Sequence, residues 1–140
     1  MSATYEQAQD EMLELLRGSL PADFPVHYQN VNTEFVVPTD DTEWARVMIR
    51  TATARTASLG NHNGRRRYER EGTLWIQLFT PAGIGLSRVY ALAKILTDAF
   101  QAVRPRRCVA FRNVRMNEIG ASGNFYQINV LADFSYDEVA

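Results

Sequence analysis

The sequence predicts an α+β fold: a mixed, largely antiparallel β-sheet with a long protruding β-hairpin, packed against two main α-helices. Three observations predict it. Residues 4–17 and 86–103 carry apolar side chains at helical spacing. Residues 72–80 and 124–134 carry them in strand alternation. Two long β-type segments flank the loop tip Gly60-Asn-His-Asn-Gly64, a composition that marks a turn.

The first helix opens with Thr4 and Gln7, the pair of a capping box. Tyr5, Ala8, Met12, Leu15 and Leu16 form its apolar stripe, and Gly18 followed by Pro21 ends it. Glu6, Asp10, Glu11 and Glu14 form a solvated acidic face. Residues 24–37 read as extended: Pro25 marks a strand start or an edge, and Phe35–Val37 reads as a second short strand. His27 and His62 have no partners at metal-ligand spacing, so no zinc or other metal is expected.

After the turn at residues 38–41, Glu43–Ser58 reads as one long strand. Trp44, Arg46, Met48 and Arg50 lie on one face, and Ala45, Val47, Ile49 and Thr51 on the other. Its return strand runs through Arg65–Glu71 into Gly72–Thr80. There Leu74, Ile76 and Leu78 make an apolar face opposite Thr73, Trp75, Gln77 and Phe79. A 16-residue strand reaches about 50 Å. A compact chain of this length has a radius of gyration near 14 Å, roughly. The outer hairpin, about residues 55–70, is therefore expected to leave the body as an arm, and its polar, arginine-rich composition fits that.

Pro81–Gly85 ends the strand, with neither a phosphate-loop nor a dinucleotide fingerprint. The second helix follows, with Val89, Ala93, Leu96, Phe100 and Val103 as its buried stripe. Leu86, Leu92 and Ala99 widen the stripe, and Gly85 or Ser87 caps the start. Arg104–Arg107 is a basic connector. Val109–Asn113 and Met116–Ile119 read as two short strands, and Asn124–Phe134 as the last strand, with Tyr126, Ile128, Val130, Ala132 and Phe134 facing the core. The tail from Tyr136 to Ala140 is expected to fray.

The 140 residues are expected to form one domain, 1–140. The single cysteine, Cys108, reads as a small buried hydrophobe. No apolar run approaches the roughly 20 residues that span a membrane, and the acidic N-terminus lacks a signal-peptide pattern. No membrane association is expected, and the chain is expected to be cytosolic or to assemble in the cytosol into something larger. No nucleophile–base pair is apparent, so no enzyme activity is expected.

Charge is distributed unevenly. Residues 1–43 carry nine acids and one base; residues 44–115 carry three acids and fourteen bases; residues 116–140 carry four acids and no base. Arg46, Arg50, Arg55, Arg65, Arg66, Arg67, Tyr68 and Arg70 are the candidate site. They read as an assembly interface or, alternatively, as a nucleic-acid-binding patch with an aromatic. Glu69 and Glu71 interrupt the patch and the net charge is −1, which favours protein contact.

An acidic first helix, a VNTEF-like extended piece and a polar hairpin precede the run GTLWIQLFTPAGIGLSRVYALAKILTDAF. This pattern resembles the tail terminators (tail-completion, minor tail protein U-like proteins) of long-tailed bacteriophages and prophages. The resemblance runs from Tyr5 to Phe134 and is strongest over Gly72–Phe100. It implies a mixed sheet flanked by helices and a non-enzymatic protein without a cofactor. It also implies a ring, commonly a hexamer, that forms in isolation or only on the tail. Such a ring caps the tail tube, ends its growth and presents the surface that joins the head. The implied partners are further copies of the chain, the tail-tube protein and the head-completion connector, with DNA only as it passes through the ring. The implied location is the virion tail, made and assembled in the cytoplasm of the bacterial host. The Arg65–Arg67 run matches no motif of that family.

Overall fold

The computed structural model describes residues 2–30, 36–38, 42–56, 67–102 and 108–139. Helix α1 (Tyr5–Ser19) is followed by β1 (Val26–His27), β2 (Trp44–Thr56) and β3 (Arg67–Pro81). Helix α2 (Ser87–Gln101), β4 (Ala110–Ser122) and β5 (Phe125–Val139) complete the chain. The five strands form one sheet in the order β1-β2-β3-β5-β4. Only β1 and β2 run parallel; the other three pairings are antiparallel. The α+β class and the mixed, largely antiparallel sheet are as the sequence predicts.

Helix α1 begins on the expected capping box, in which the Thr4 hydroxyl accepts from the Gln7 N–H and the Gln7 side chain accepts from the Thr4 N–H. It runs through Gly18 to Ser19 and stops where Leu20 turns extended. The stop belongs to Pro21, which disfavours helical backbone in the residue before it. Tyr5 is 52% exposed rather than part of the buried stripe. Helix α2 departs from expectation at its start. Its N-cap is Leu86, with no side-chain cap, and neither Gly85 nor Ser87 serves. Gly83 and Gly85 both take positive φ and swing the chain from β3 into the helix, leaving Leu86 exposed.

Leu74, Ile76 and Leu78 of β3, Ala45 and Val47 of β2, and Ile128, Val130, Ala132 and Phe134 of β5 are buried in one core. Met12 and Leu16 of α1 and Leu92, Leu96 and Phe100 of α2 close it from above. Each large apolar side chain contributes about 1.5–3 kcal/mol by leaving water. Both helices therefore cover one face of the sheet. The opposite face carries Trp44, Arg46, Met48 and Arg50 beside Thr73, Trp75, Gln77 and Phe79, as the strand alternation predicts.

Four strand expectations need correction. Residues 110–122 form one strand instead of two: register shifts between Arg112 and Arg115 and between Glu118 and Gly120 break the alternation without ending the pairing. Asn113 and Gly120, both at positive φ, absorb these irregularities. Of the piece expected to be extended, Val26–His27 forms a strand, residues 28–30 do not, and residues 31–35 lie outside the described residues. Val36 and Val37 lie outside any strand and are exposed, 77% and 44%; Phe35 lies outside the described residues. Finally, β5 does not stop at Phe134. It continues to Val139, and Tyr136 in the supposedly frayed tail is only 4% exposed.

Candidate assembly surfaces

The outer part of the expected arm, residues 57–66, lies outside the described residues, but the continuation of β5 changes its base. Arg67, Tyr68 and Arg70 pair with Val139, Glu138 and Tyr136 on one side of β3, while Tyr68, Glu69 and Arg70 pair with Thr56, Arg55 and Ala54 of β2 on the other. As far out as Tyr68 the described ribbon is thus three strands wide. Arg67 and Arg70 are spent on this joint. Arg70 donates from Nε and Nη2 to Glu138 Oε1 at 3.2 and 2.9 Å. Its guanidinium also lies 4.9 Å from the centre of the Tyr5 ring and 5.4 Å from that of Tyr68. The bond to the Glu138 carboxylate holds the Arg70 guanidinium pKa above its ordinary value, against the opposing pull of burial. Arg67 Nε lies 3.8 Å from Asp137. The other chain end meets the same place, where Ala3 N–H donates to the Asp137 carbonyl at 2.8 Å.

Arg46 and Arg50 sit elsewhere, on the uncovered sheet face. The Trp44 and Phe79 rings stack at 4.0 Å, and Phe125 meets both edge-on. The Arg46 guanidinium lies 5.6 and 5.5 Å from the Trp44 and Phe79 ring centres. Beside it, Arg46 Nε, Trp75 Nε1 and Gln77 Oε1 are buried and form no hydrogen bond among the described residues. Arg50 is exposed. The other end of this face is neutralised: Arg112 lies 3.7 Å from Glu71, and Arg115 lies 3.3 Å from Asp133.

Asp133 is the most heavily bonded carboxylate of this face, accepting from Thr73 Oγ1, Asn113 Nδ2 and Arg115 Nη1 at 3.0, 3.2 and 3.3 Å. Burial pushes its carboxyl up, but the three bonds more than offset this and hold it below the ordinary 3.8. A carboxylate lowered on folding adds stability above its unfolded value and loses it as pH falls through the lowered one. Asp133→Asn is therefore expected to cost about 1 kcal/mol at neutral pH. It should also flatten the loss of stability between roughly pH 5 and pH 2, followed by urea unfolding at each pH. A variant whose acid sensitivity matches the parent's would contradict this assignment.

The eight predicted site residues do not form one patch. Arg46 and Arg50 lie on the uncovered face, whereas Arg70 points to the helix side, against Tyr5 of α1. Arg67 pairs with Asp137 at the edge of the arm. The backbone of Arg55 pairs with Glu69, and its side chain, like Arg65 and Arg66, lies outside what the structure describes. Sequence reasoning missed three acids. Asp137 and Glu138 were placed in a free tail. Glu11 was placed on a solvated face, yet its carboxylate accepts the Cys108 and Val109 N–H groups at 3.2 and 3.1 Å and ties α1 to the start of β4. Cys108 itself is half-buried, not fully buried. For Asp137 and Glu138 the usable signal was the all-acidic charge of the last segment against the basic arm.

A single mixed sheet backed by two helices on one face, with Arg67 and Arg70 joining β3 to the end of β5, defines an α+β protein. Residues 6–122 match the sequence model of the phage tail terminator protein family, and the chain belongs to that family. It is thereby a structural component of a phage tail. A solved protein structure superposes with a TM-score of 0.57 over 91% of this chain and 94% of its own, at 20% identity, which establishes the likeness of fold. No curated protein matches the sequence. No helix among the described residues is long and apolar enough to cross a membrane.

Proposed function

We propose that this protein closes the tail. In this reading copies of the chain, six in number, form a ring on the last layer of the tail tube, end its polymerisation and present the surface to which the head connector joins. The whole of residues 1–140 acts as one unit with the arm as an extension, and DNA is met only as it passes through the ring. The match to the tail terminator family over residues 6–122 carries the reading. The uncovered sheet face and the arm supply surface for neighbours, and such heterologous contacts close into rings when the rotation between copies allows it. The nucleic-acid alternative loses ground at the arm base, where Arg67 and Arg70 are answered by Asp137 and Glu138.

The test is the length of tails. Tail-tube protein polymerised around its length-setting components without this chain is expected to give tubes of scattered, excessive length by electron microscopy. Adding the purified chain should narrow the distribution and leave rings on tube ends. Tubes of the same length with and without it would refute the proposal.

A further inference from the structure

Two surfaces of the chain have charge that the described residues do not answer. The first is the β2 side of the uncovered sheet face. Arg46 and Arg50 have no carboxylate partner among the described residues, whereas Arg67, Arg112 and Arg115 each do. The second is the outer side of α1. Glu6, Asp10 and Glu14 are exposed and form no ion pair among the described residues. They follow one another at i, i+4 spacing, where like charges destabilise a helix. α1 covers one face of the sheet and Arg46 and Arg50 occupy the other, so the two surfaces lie on different sides of the molecule.

We infer that the uncovered face at Arg46 and Arg50 receives the Glu6–Asp10–Glu14 stripe of α1 from a second copy of this chain. The inference rests on the ring reading and deepens it by naming the two halves of the contact. Charge and spacing agree. Glu6 and Glu14 are eight residues apart on a helix, about 12 Å. Arg46 and Arg50 are four apart on a strand, about 13 Å. Laid along β2, the helix brings its end carboxylates to the two guanidinium groups and Asp10 between them. A face that takes up a helix lying on another side of its neighbour is not self-complementary, so the contact propagates head to tail, as a ring requires.

A charge swap tests the pairing. One variant carries Arg46→Glu and Arg50→Glu; the other carries Glu6→Lys, Asp10→Lys and Glu14→Lys. Association is read by sedimentation velocity, alone and on purified tail tubes, after circular dichroism has shown each variant folded. Arg50→Glu and Asp10→Lys replace any multiple variant that does not fold. Each variant alone is expected to associate about 100-fold more weakly than the parent, because like charges then face each other. An equal mixture restores both contacts in alternation and is expected to reassemble. Variants that associate like the parent, or folded variants whose mixture stays apart, would overturn the pairing and leave the ring reading standing. A parent chain that joins neither itself nor tubes would overturn both.

Discussion

Gly72→Ala is expected to lower the melting temperature by roughly 10 °C, a loss of about 3 kcal/mol. A Cβ at this position would stand 2.1 Å from the Arg50 carbonyl oxygen, 2.6 Å from the Phe134 ring and 2.9 Å from the Thr51 Cα. None of these can step aside cheaply. Arg50 and Thr51 belong to the β2–β3 ladder, and the Phe134 side chain is fully buried. Gly72 lies where the register between β2 and β3 shifts, between Thr51 and Thr53. There the missing side chain lets the bulged strand approach. Alanine would push β2 away, and the distortion would fall where the arm leaves the body. Gly18→Ala is the control, because it lies within α1 with nothing inside 4 Å of a new Cβ. Thermal unfolding followed by circular dichroism decides it. A Gly72→Ala protein melting within about 2 °C of the parent would show that the strands separate easily here.

The same position shows what was legible in the sequence. The alternation in GTLWIQLFT fixes which side chains enter the core, and Leu74, Ile76 and Leu78 are all fully buried. The helical stripes and the capping box are likewise local patterns. What was not legible depends on partners distant in sequence. Phe134 and Tyr136 share a face, but whether the second is buried depends on β3 lying alongside as far out as Arg67. The Asn113 and Gly120 irregularities made one strand resemble two, because a bulge shifts the phase of alternation without breaking the ladder. Glu11 reads as solvated on any helical wheel. Only the path of the chain into β4 brings two N–H groups to it. The candidate site suffered in the same way: Arg46 and Arg50 on β2 and Arg70 on β3 lie on opposite faces of the sheet, and the acids of Arg67 and Arg70 came from the far end of the chain.

Removing residues 135–140 is the change that separates the two accounts of the C-terminus. A frayed tail could be removed without consequence. The paired tail is expected to cost about 3 kcal/mol and to open the arm. The Tyr136 ring is buried, stacked on Phe134 at 6.1 Å, and its loss leaves a gap beside the core. Glu138 leaves Arg70, whose pair is largely shielded, with side-chain exposures of 16% and 17%. Asp137 leaves Arg67 and takes with it the carbonyl that holds Ala3. Against these losses stands the entropy regained by the residues no longer held on β3, about 1 kcal/mol or more for each. The net cost is therefore much smaller than the sum of the contacts. Most of it should reside in Tyr136, so that Tyr136→Ala in the full chain reproduces the larger part of the loss. The arm supplies a second readout. With β5 ending at Phe134, Tyr68–Arg70 has a neighbour on the β2 side only, and a two-stranded ribbon is marginal in water. Limited trypsin digestion after Arg67 and Arg70 is expected to run about tenfold faster in the truncated protein, in step with the larger population of open arm. Equal digestion rates and equal stability would mean that the acidic tail does not hold the arm. Faster digestion with Tyr136→Ala and unchanged digestion with Glu138→Gln would assign the hold to the buried ring rather than to the ion pair.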